Sequence, residues 1–215
     1  AEATSRLDRT LRELGYPRPT STFGLMMDMW RAALRFHLLP ARRSPDARDE
    51  ERNRLACLTY TRILQVTGMS SLLQYTHGAY RFASFAMRTG DTELHHYAYS
   101  KFSLNTGMFS LGGLSGHYVR LAGIALRECR GLRLVPIARA HVGCAHYFAG
   151  RLAEAEKELA AAAGPLDKSG EWFAVFTHHV LRHIHGIRSD LASELREAEW
   201  EIAQGAASGD AETLA

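Results

Sequence analysis

The amino-acid sequence predicts an all-α fold, a right-handed solenoid of antiparallel helix pairs with about ten helices in all. Apolar residues recur at helical spacing through most of the 215 residues, and no alternating β-branched run indicates a strand. Glycines at predicted turns recur as well. Gly113, Gly150 and Gly186 lie 37 and 36 residues apart, which is the length of a helix–turn–helix unit with slightly extended turns.

The clearest unit is the segment Ala138–Ala163, ARAHVGCAHYFAGRLAEAEKELAAAA, in which two helical patterns meet at Gly150. Small residues at the facing positions let two antiparallel helices approach closely, and Leu159 fills the space between them. The unit resembles a tetratricopeptide repeat at Val142, Gly143, Gly150, Ala155, Leu159 and Ala162. In the neighbouring pairs this register places Tyr118 and Leu191 where the repeat has Ala155.

Residues 1–45 are expected to form N-terminal helices that lead into the array. The first is predicted over Thr4–Leu14, and the second begins after a cap at Ser21 or Thr22. The second helix has a broad apolar stripe that contains Met26, Met27 and Met29, which we expect to belong to the core. A loop is predicted over residues 40–46 (PARRSPD).

Residues 46–215 are expected to form the tetratricopeptide-like array. Turns are predicted at residues 112–115 (GGLS) and at Gly164-Pro165. The segment from Gly209 to Leu214 repeats the pattern that opens an earlier helix at Gly90, so we expect the array to be truncated at its C-terminus. The predicted helices are Ala47–Val66, Leu72–Met87, Thr92–Phe109, Gly116–Cys129, Pro136–Ala149, Leu152–Ala163, Glu171–His185 and Asp190–Gln204.

A wider resemblance covers most of residues 54–209. The runs LACLTYTRILQVTGMSSLLQYTHGAYRFASFAMRTGDTELHHYAYS, GHYVRLAGIALRECRGL and AHVGCAHYFAGRLAEAEKEL resemble the repeat region of large multidomain bacterial signalling ATPases of the STAND (AAA-related) type. In that family the repeats are linked to Ser/Thr kinase, nucleotide cyclase, histidine kinase or DNA-binding output domains. The resemblance implies a regulatory array that senses a partner or ligand. It carries over no catalytic residue, because no catalytic motif of those domains occurs in this chain.

Composition narrows the function classes. The formal charge of +3 is too small for a dedicated nucleic-acid binder, and only a local cluster of Arg127, Arg130 and Arg133 favours a DNA-binding alternative. Three cysteines without a CxxC pair predict neither a disulfide framework nor a structural zinc site, and fit a reduced cytoplasmic setting. The longest apolar stretch, residues 23–40, is interrupted by charges, so no membrane segment is predicted.

Candidate chemistry is sparse. His178, His179 and His183 cluster in FTHHVLRHIHG, and the last two share a helix face at i, i+4. A helical metalloprotein or enzyme built on this cluster is therefore the alternative to a scaffold. The HExxH pattern is absent and Arg182 lies between the two ligands, which favours ordinary polar contacts. We predict no catalytic residue, metal or cofactor.

The preferred interpretation is a non-catalytic regulatory or scaffold module that binds a protein, a peptide or a neighbouring domain, with neither nucleic acid nor membrane as a direct partner. Its groove would be lined by the first helix of each pair. Packing between adjacent repeats is the competing explanation for the same residues. The predicted groove residues are Ala140, Cys144, Tyr147, Phe176, Val180 and His183.

Overall fold

A computed structural model describes residues 2–38, 46–67, 71–129, 133–169, 171 and 173–208. Within these ranges the chain forms ten α-helices and no strand, which confirms the all-α prediction. Contacts divide the chain into two compact units, Ala1–Ala98 and Tyr99–Ala215. The predicted loop, apart from Asp46, and the predicted C-terminal repeat at residues 209–214 lie outside the described residues.

The first unit contains four complete helices and the start of a fifth. Helix α1 packs against α3, while α4 packs against both α2 and α3. The helices are α1 (Glu2–Glu13), α2 (Thr22–Leu38), α3 (Ala47–Thr67), α4 (Leu72–Ala86) and α5 (Thr92–Met108), of which residues 92–98 belong to this unit.

Aromatic side chains fill the core of the first unit. The rings of Tyr60 and Phe85 stack with their centroids 5.9 Å apart, and Phe82 meets Tyr97 edge to face at 5.1 Å. A polar contact attaches α2 to α4, because Asp28 lies 2.8 Å from Nε2 of the fully buried His77. Burial of these rings favours the packing of α4 against α3 and against the start of α5.

The second unit contains the remainder of α5 and five further helices. Consecutive helices from α7 to α10 pack against one another, and α7 also contacts α9. The additional helices are α6 (Gly112–Glu128), α7 (Val135–Phe148), α8 (Leu152–Ser169), α9 (Phe173–Ile187) and α10 (Leu191–Ser208).

Close approach of α7 and α8 depends on Gly143, as the sequence predicted. A Cβ atom at this position would lie 2.6 Å from Cγ of Leu159 and 3.2 Å from the carbonyl oxygen of Ala155. Leu159, Ala155 and Ala162 are all fully buried. The predicted role of these small residues in the helix–helix contact is therefore confirmed.

Three helices of the second unit end in the same backbone geometry. Each has a residue with positive φ two positions after its last helical residue: Ser110 (+58°), Gly150 (+73°) and Ser189 (+57°). The next residue donates its N–H to the carbonyl five residues earlier, which defines the Schellman motif. These bonds are Leu111 to Thr106, Arg151 to His146 and Asp190 to His185, at 2.9, 2.9 and 3.0 Å.

The Schellman caps correct the predicted register. The positive-φ residues at 110, 150 and 189 are 40 and 39 residues apart, so the turns recur with a longer period than the predicted 37 and 36. Gly113 lies inside α6 and Gly186 inside α9, so the prediction that both are turn residues is wrong. The chain turns at serines instead, which composition-based turn signals do not identify. In the corrected register Ser115 and Glu194, not Tyr118 and Leu191, match Ala155.

The two predicted breaks at residues 112–115 and 164–165 are also wrong. Helix α6 begins at Gly112, because the Ser110 cap has already reversed the chain. Helix α8 runs through Pro165 to Ser169. Pro165 is exposed, while the next residue, Leu166, is 1% exposed. Burial of Leu166 holds the last turn in helical conformation despite the hydrogen bond that proline removes.

Candidate functional site

The six predicted groove residues fall into two groups. Ala140, Cys144 and Val180 are buried in the helix packing. Tyr147 and Phe176 are half-buried, and His183 is exposed. The structure brings Tyr147 of α7 and His183 of α9 together, with the hydroxyl oxygen 3.3 Å from Nδ1. The accessible part of the predicted set therefore lies where α7 meets α9.

His179 extends this surface along α9. Its ring centroid lies 4.7 Å from that of His183. The carboxylate of Glu201 on α10 forms an ion pair with Arg182 at 2.9 Å and lies 3.7 Å from Nδ1 of His179. Aromatic and imidazole rings thus form a row that offers flat faces and hydrogen-bonding nitrogens together. We call Tyr147, Phe176, His179 and His183 the groove surface.

An open cleft adjoins the groove surface at His183. Its volume is about 580 Å³, and it opens widely to solvent. Apolar side chains of α10 form one wall, and Arg182 and Glu194 supply opposite charges. The lining residues are Arg182, His183, Leu191, Glu194, Leu195 and Ala198. The sequence pattern does not place Leu191 and Leu195 in the site. It identifies Leu191 only as a residue that differs from the alanine of the repeat.

His178 points away from the groove surface and joins three helices. Its Nδ1 lies 2.5 Å from Glu197 of α10, its Nε2 lies 3.1 Å from Asp167 of α8, and its ring stacks on Trp200 at 3.6 Å. Burial disfavours the imidazolium, but hydrogen bonds and charge from the two carboxylates outweigh burial and raise the pKa of His178. The three clustered histidines thus have different partners.

No family model, curated protein or solved structure matches this chain. Within the described ranges, no group of three or more His, Cys, Asp or Glu residues is arranged to hold a metal ion.

Two further titratable groups are sealed in the core of the second unit. Burial lowers the pKa of Lys101 on α5 to about 7, and burial raises the pKa of the Cys144 thiol. A neutral amine is the reactive form of a nucleophilic lysine, but only 1% of Lys101 is exposed. Neither group faces a surface that a substrate reaches in this conformation.

Helix α2 differs from the prediction in a way that bears on function. The stripe was expected in the core, but Met26 and Met27 are 43% and 42% exposed, so that prediction is wrong for these two residues. Leu25, Asp28 and Ala32 form the face that packs toward α4, which leaves the opposite apolar face uncovered. We call the exposed set the α2 surface: Phe23, Met26, Met27, Trp30 and Leu34.

Two remaining sequence hypotheses concern membranes and DNA. Over the part of the chain that is described, no helix has the combined length and apolarity that a bilayer span requires. Arg127 and Arg133 are both exposed, and Arg130 lies outside the described residues.

Proposed function

We propose that this protein is a non-catalytic repeat module that binds a peptide or a protein segment through the groove surface. The observation that carries the proposal is the recurrence of the Schellman cap at positions 110, 150 and 189. On this basis we interpret α5/α6, α7/α8 and α9/α10 as successive pairs of one repeat. Stacked in order as a right-handed solenoid, such pairs leave the first helices of adjacent repeats side by side.

The groove surface fits an extended or helical peptide segment. Tyr147 and His183 belong to adjacent repeats, so a ligand that contacts both spans one repeat step. Tyrosine provides rigid contact area at low conformational cost and is enriched among the residues that dominate binding energy, and the histidine ring adds hydrogen-bonding nitrogens.

The setting we propose is bacterial signal transduction in the cytoplasm, with the bound segment supplied by a partner protein or by a neighbouring domain of the same polypeptide. The resemblance to the repeat regions of STAND-type ATPases supports this setting. The three cysteines, all within the described ranges, form no disulfide, which is compatible with a reduced compartment.

The test is selection from a random peptide-display library on the full chain, followed by affinity measurement on variants. We expect the double variant Tyr147→Ala with His183→Ala to bind the selected peptides with an affinity lower by about tenfold or more, equivalent to about 1.4 kcal/mol of binding free energy. His117→Ala removes an exposed histidine on α6 and should leave affinity unchanged.

The double variant should also keep the melting temperature of the parent within a few degrees, since His183 is exposed and Tyr147 half-buried. Loss of folding would assign both residues to repeat packing and refute the groove. Full affinity in the folded double variant would place the bound peptides elsewhere and refute it as well.

A further inference from the structure

Two helices, one in each unit, expose continuous apolar faces. The α2 surface consists of five large side chains that are 42–73% exposed. Four of them, at positions 23, 27, 30 and 34, have the spacing of one helix face. Their accessible apolar area is on the order of 500 Å², as large as the functional patches of monomeric proteins. Isolated exposed leucines need no explanation, but a face of this size does.

Helix α10 exposes the second face. Leu191, Leu195 and Ile202 are 73%, 60% and 58% exposed, and Ala206 is exposed beside them. Their spacing of i, i+4, i+11 and i+15 aligns all four along the helix. We call these four residues the α10 surface.

The Schellman caps at Gly150 and Ser189 allow α10 to be aligned with α8, the second helix of the preceding pair. Aligning Gly150 with Ser189 matches the α10 surface to one face of α8. The matched residues on α8 are Leu152, Glu156, Ala163 and Asp167. That face of α8 contacts α9 through Glu156 and Asp167, and Ala163 on the same face is 8% exposed. The α10 surface is therefore the counterpart of a helix-binding face, and it is more apolar than the occupied one.

The α8–α9 contact also shows the charge that such a face accepts. Glu156 pairs with Arg188 and lies 3.9 Å from Nδ1 of His185, while Asp167 pairs with His178. Acidic groups on the second helix of a pair thus receive basic groups on the incoming helix. In the same register Leu195 and Ala206 replace Glu156 and Asp167 on α10, and the acids that flank the α10 surface are the exposed Glu199 and the half-buried Glu194.

Helix α2 has the complementary chemistry. Arg31 and Arg35, one turn apart and both exposed, flank the α2 surface. The whole chain shows the same asymmetry. The first 98 residues contain 14 basic and 10 acidic residues, a net charge of +4, and the remaining 117 contain 12 and 13, a net charge of −1. Opposite charge beside two apolar helix faces favours their association.

We propose that the occupant of the α10 surface is the α2 surface of a second copy of this chain. The contact is head to tail, since it joins two different faces. Each copy therefore retains one free face, and association continues into open chains or closes into a ring. The α10 surface and the groove surface adjoin at the cleft beside His183, so variants on α2, which is remote in sequence from both, distinguish this contact from peptide binding.

The test measures the mass of the full chain in solution by light scattering between about 1 and 100 µM, the range in which modest interfaces populate complexes. The wild type should form larger assemblies as concentration rises. Trp30→Glu and Leu195→Glu each place a charge in one of the two faces, so each variant alone should remain a monomer. An equimolar mixture of the two should form a 1:1 dimer and nothing larger, because each variant retains the face that the other lacks.

Ile124→Glu, which places the same charge on an exposed apolar position of α6, is the matched control and should assemble like the wild type. A reversal of charge should rescue assembly. Arg31→Glu with Arg35→Glu should weaken it by about tenfold or more, and adding Glu194→Arg with Glu199→Arg should restore it. These four positions are not fully buried, so the variants remain informative if Trp30→Glu fails to fold.

Three results would overturn the proposal. One is a wild type that stays monomeric throughout the concentration range. Another is assembly that Trp30→Glu abolishes but Leu195→Glu does not, because that pattern indicates symmetric pairing of α2 surfaces. The third is an equimolar mixture that shows no dimer although both variants are folded.

Discussion

At the scale of single residues, the Schellman caps of α5 and α9 contain serine where the φ angle favours glycine. Ser110 and Ser189 adopt φ values of +58° and +57°, in the left-handed region where a Cβ atom crowds the following carbonyl. The third cap of the series has Gly150 at the matching position. Gly150 therefore allows the free-energy cost of a side chain at this cap position to be measured within the same protein.

We predict that Ser110→Gly and Ser189→Gly each raise the free energy of unfolding by about 0.5–1 kcal/mol, because they relieve this crowding. Gly150→Ala should lower it by about 1 kcal/mol, since the side chain would have to adopt positive φ. Urea unfolding monitored by circular dichroism measures all three. Gly164→Ala in α8 is the control, and helix propensity should make it stabilising. Equal signs for Gly150→Ala and Gly164→Ala would contradict the cap assignment.

His178 makes the stability of the second unit depend on pH. Because its pKa is raised in the folded protein, its contribution is fully present below the unfolded pKa of about 6.5. The contribution is lost as the pH rises through the raised folded pKa. We therefore predict that the stability difference between wild type and His178→Gln shrinks with rising pH, as measured by thermal unfolding from about pH 6 to 9. Parallel curves for the two proteins would show that the imidazolium does not contribute.

At the scale of elements, the contact between α7 and α8 depends on Gly143. A methyl group at this position gains helix propensity, but it would overlap Leu159. We predict that Gly143→Ala lowers the free energy of unfolding by about 1–2 kcal/mol, the usual cost of overpacking. Adding Leu159→Val should recover part of this loss if the two sites are coupled.

Gly123→Ala in α6 is the matched control for Gly143→Ala, because a Cβ at Gly123 would meet nothing within 4 Å. Helix propensity alone should then stabilise the protein by about 0.5–1 kcal/mol. A stabilising effect of Gly143→Ala in the same urea experiment would mean that α7 and α8 are not in close contact in solution.

The sequence predicted the elements better than their ends. Apolar periodicity located each helix because burial of one face is a property of many residues together. The turns depend on single residues, and serines at 110 and 189 adopt a conformation that glycines nearby were expected to provide. Pro165 was expected to break a helix that the burial of Leu166 maintains.

The sequence predicted only part of the candidate site, because a sequence pattern does not show which helix faces other elements cover. The repeat register brought Tyr147 and His183 together, and the structure places them in contact. It did not identify the α2 surface, because periodicity shows that a helix has an apolar face but not whether another element covers it. Leu191 and Leu195 were missed because the predicted groove was lined by the first helix of each pair, and both leucines lie on the second helix of the last pair.

At the scale of the whole molecule, the two proposed interactions use different residues, although the groove surface and the α10 surface adjoin at the cleft beside His183. The groove surface would bind a peptide from outside, whereas the α2 and α10 surfaces would join copies of the chain. Assembly of copies would present several groove surfaces together and raise the apparent affinity for a multivalent partner. The proposals can fail independently, because variants such as Trp30→Glu leave Tyr147 and His183 unchanged.

The central claim is that the groove surface of α7 and α9 is the binding site. The most direct measurement is a nuclear magnetic resonance titration of the isotope-labelled full chain, carrying Trp30→Glu to keep it monomeric, with the tightest peptide from the display selection. We predict that the largest chemical-shift changes occur at Tyr147, Phe176, His179 and His183. Changes confined to α2, or to helices other than α7 and α9, would contradict the claim.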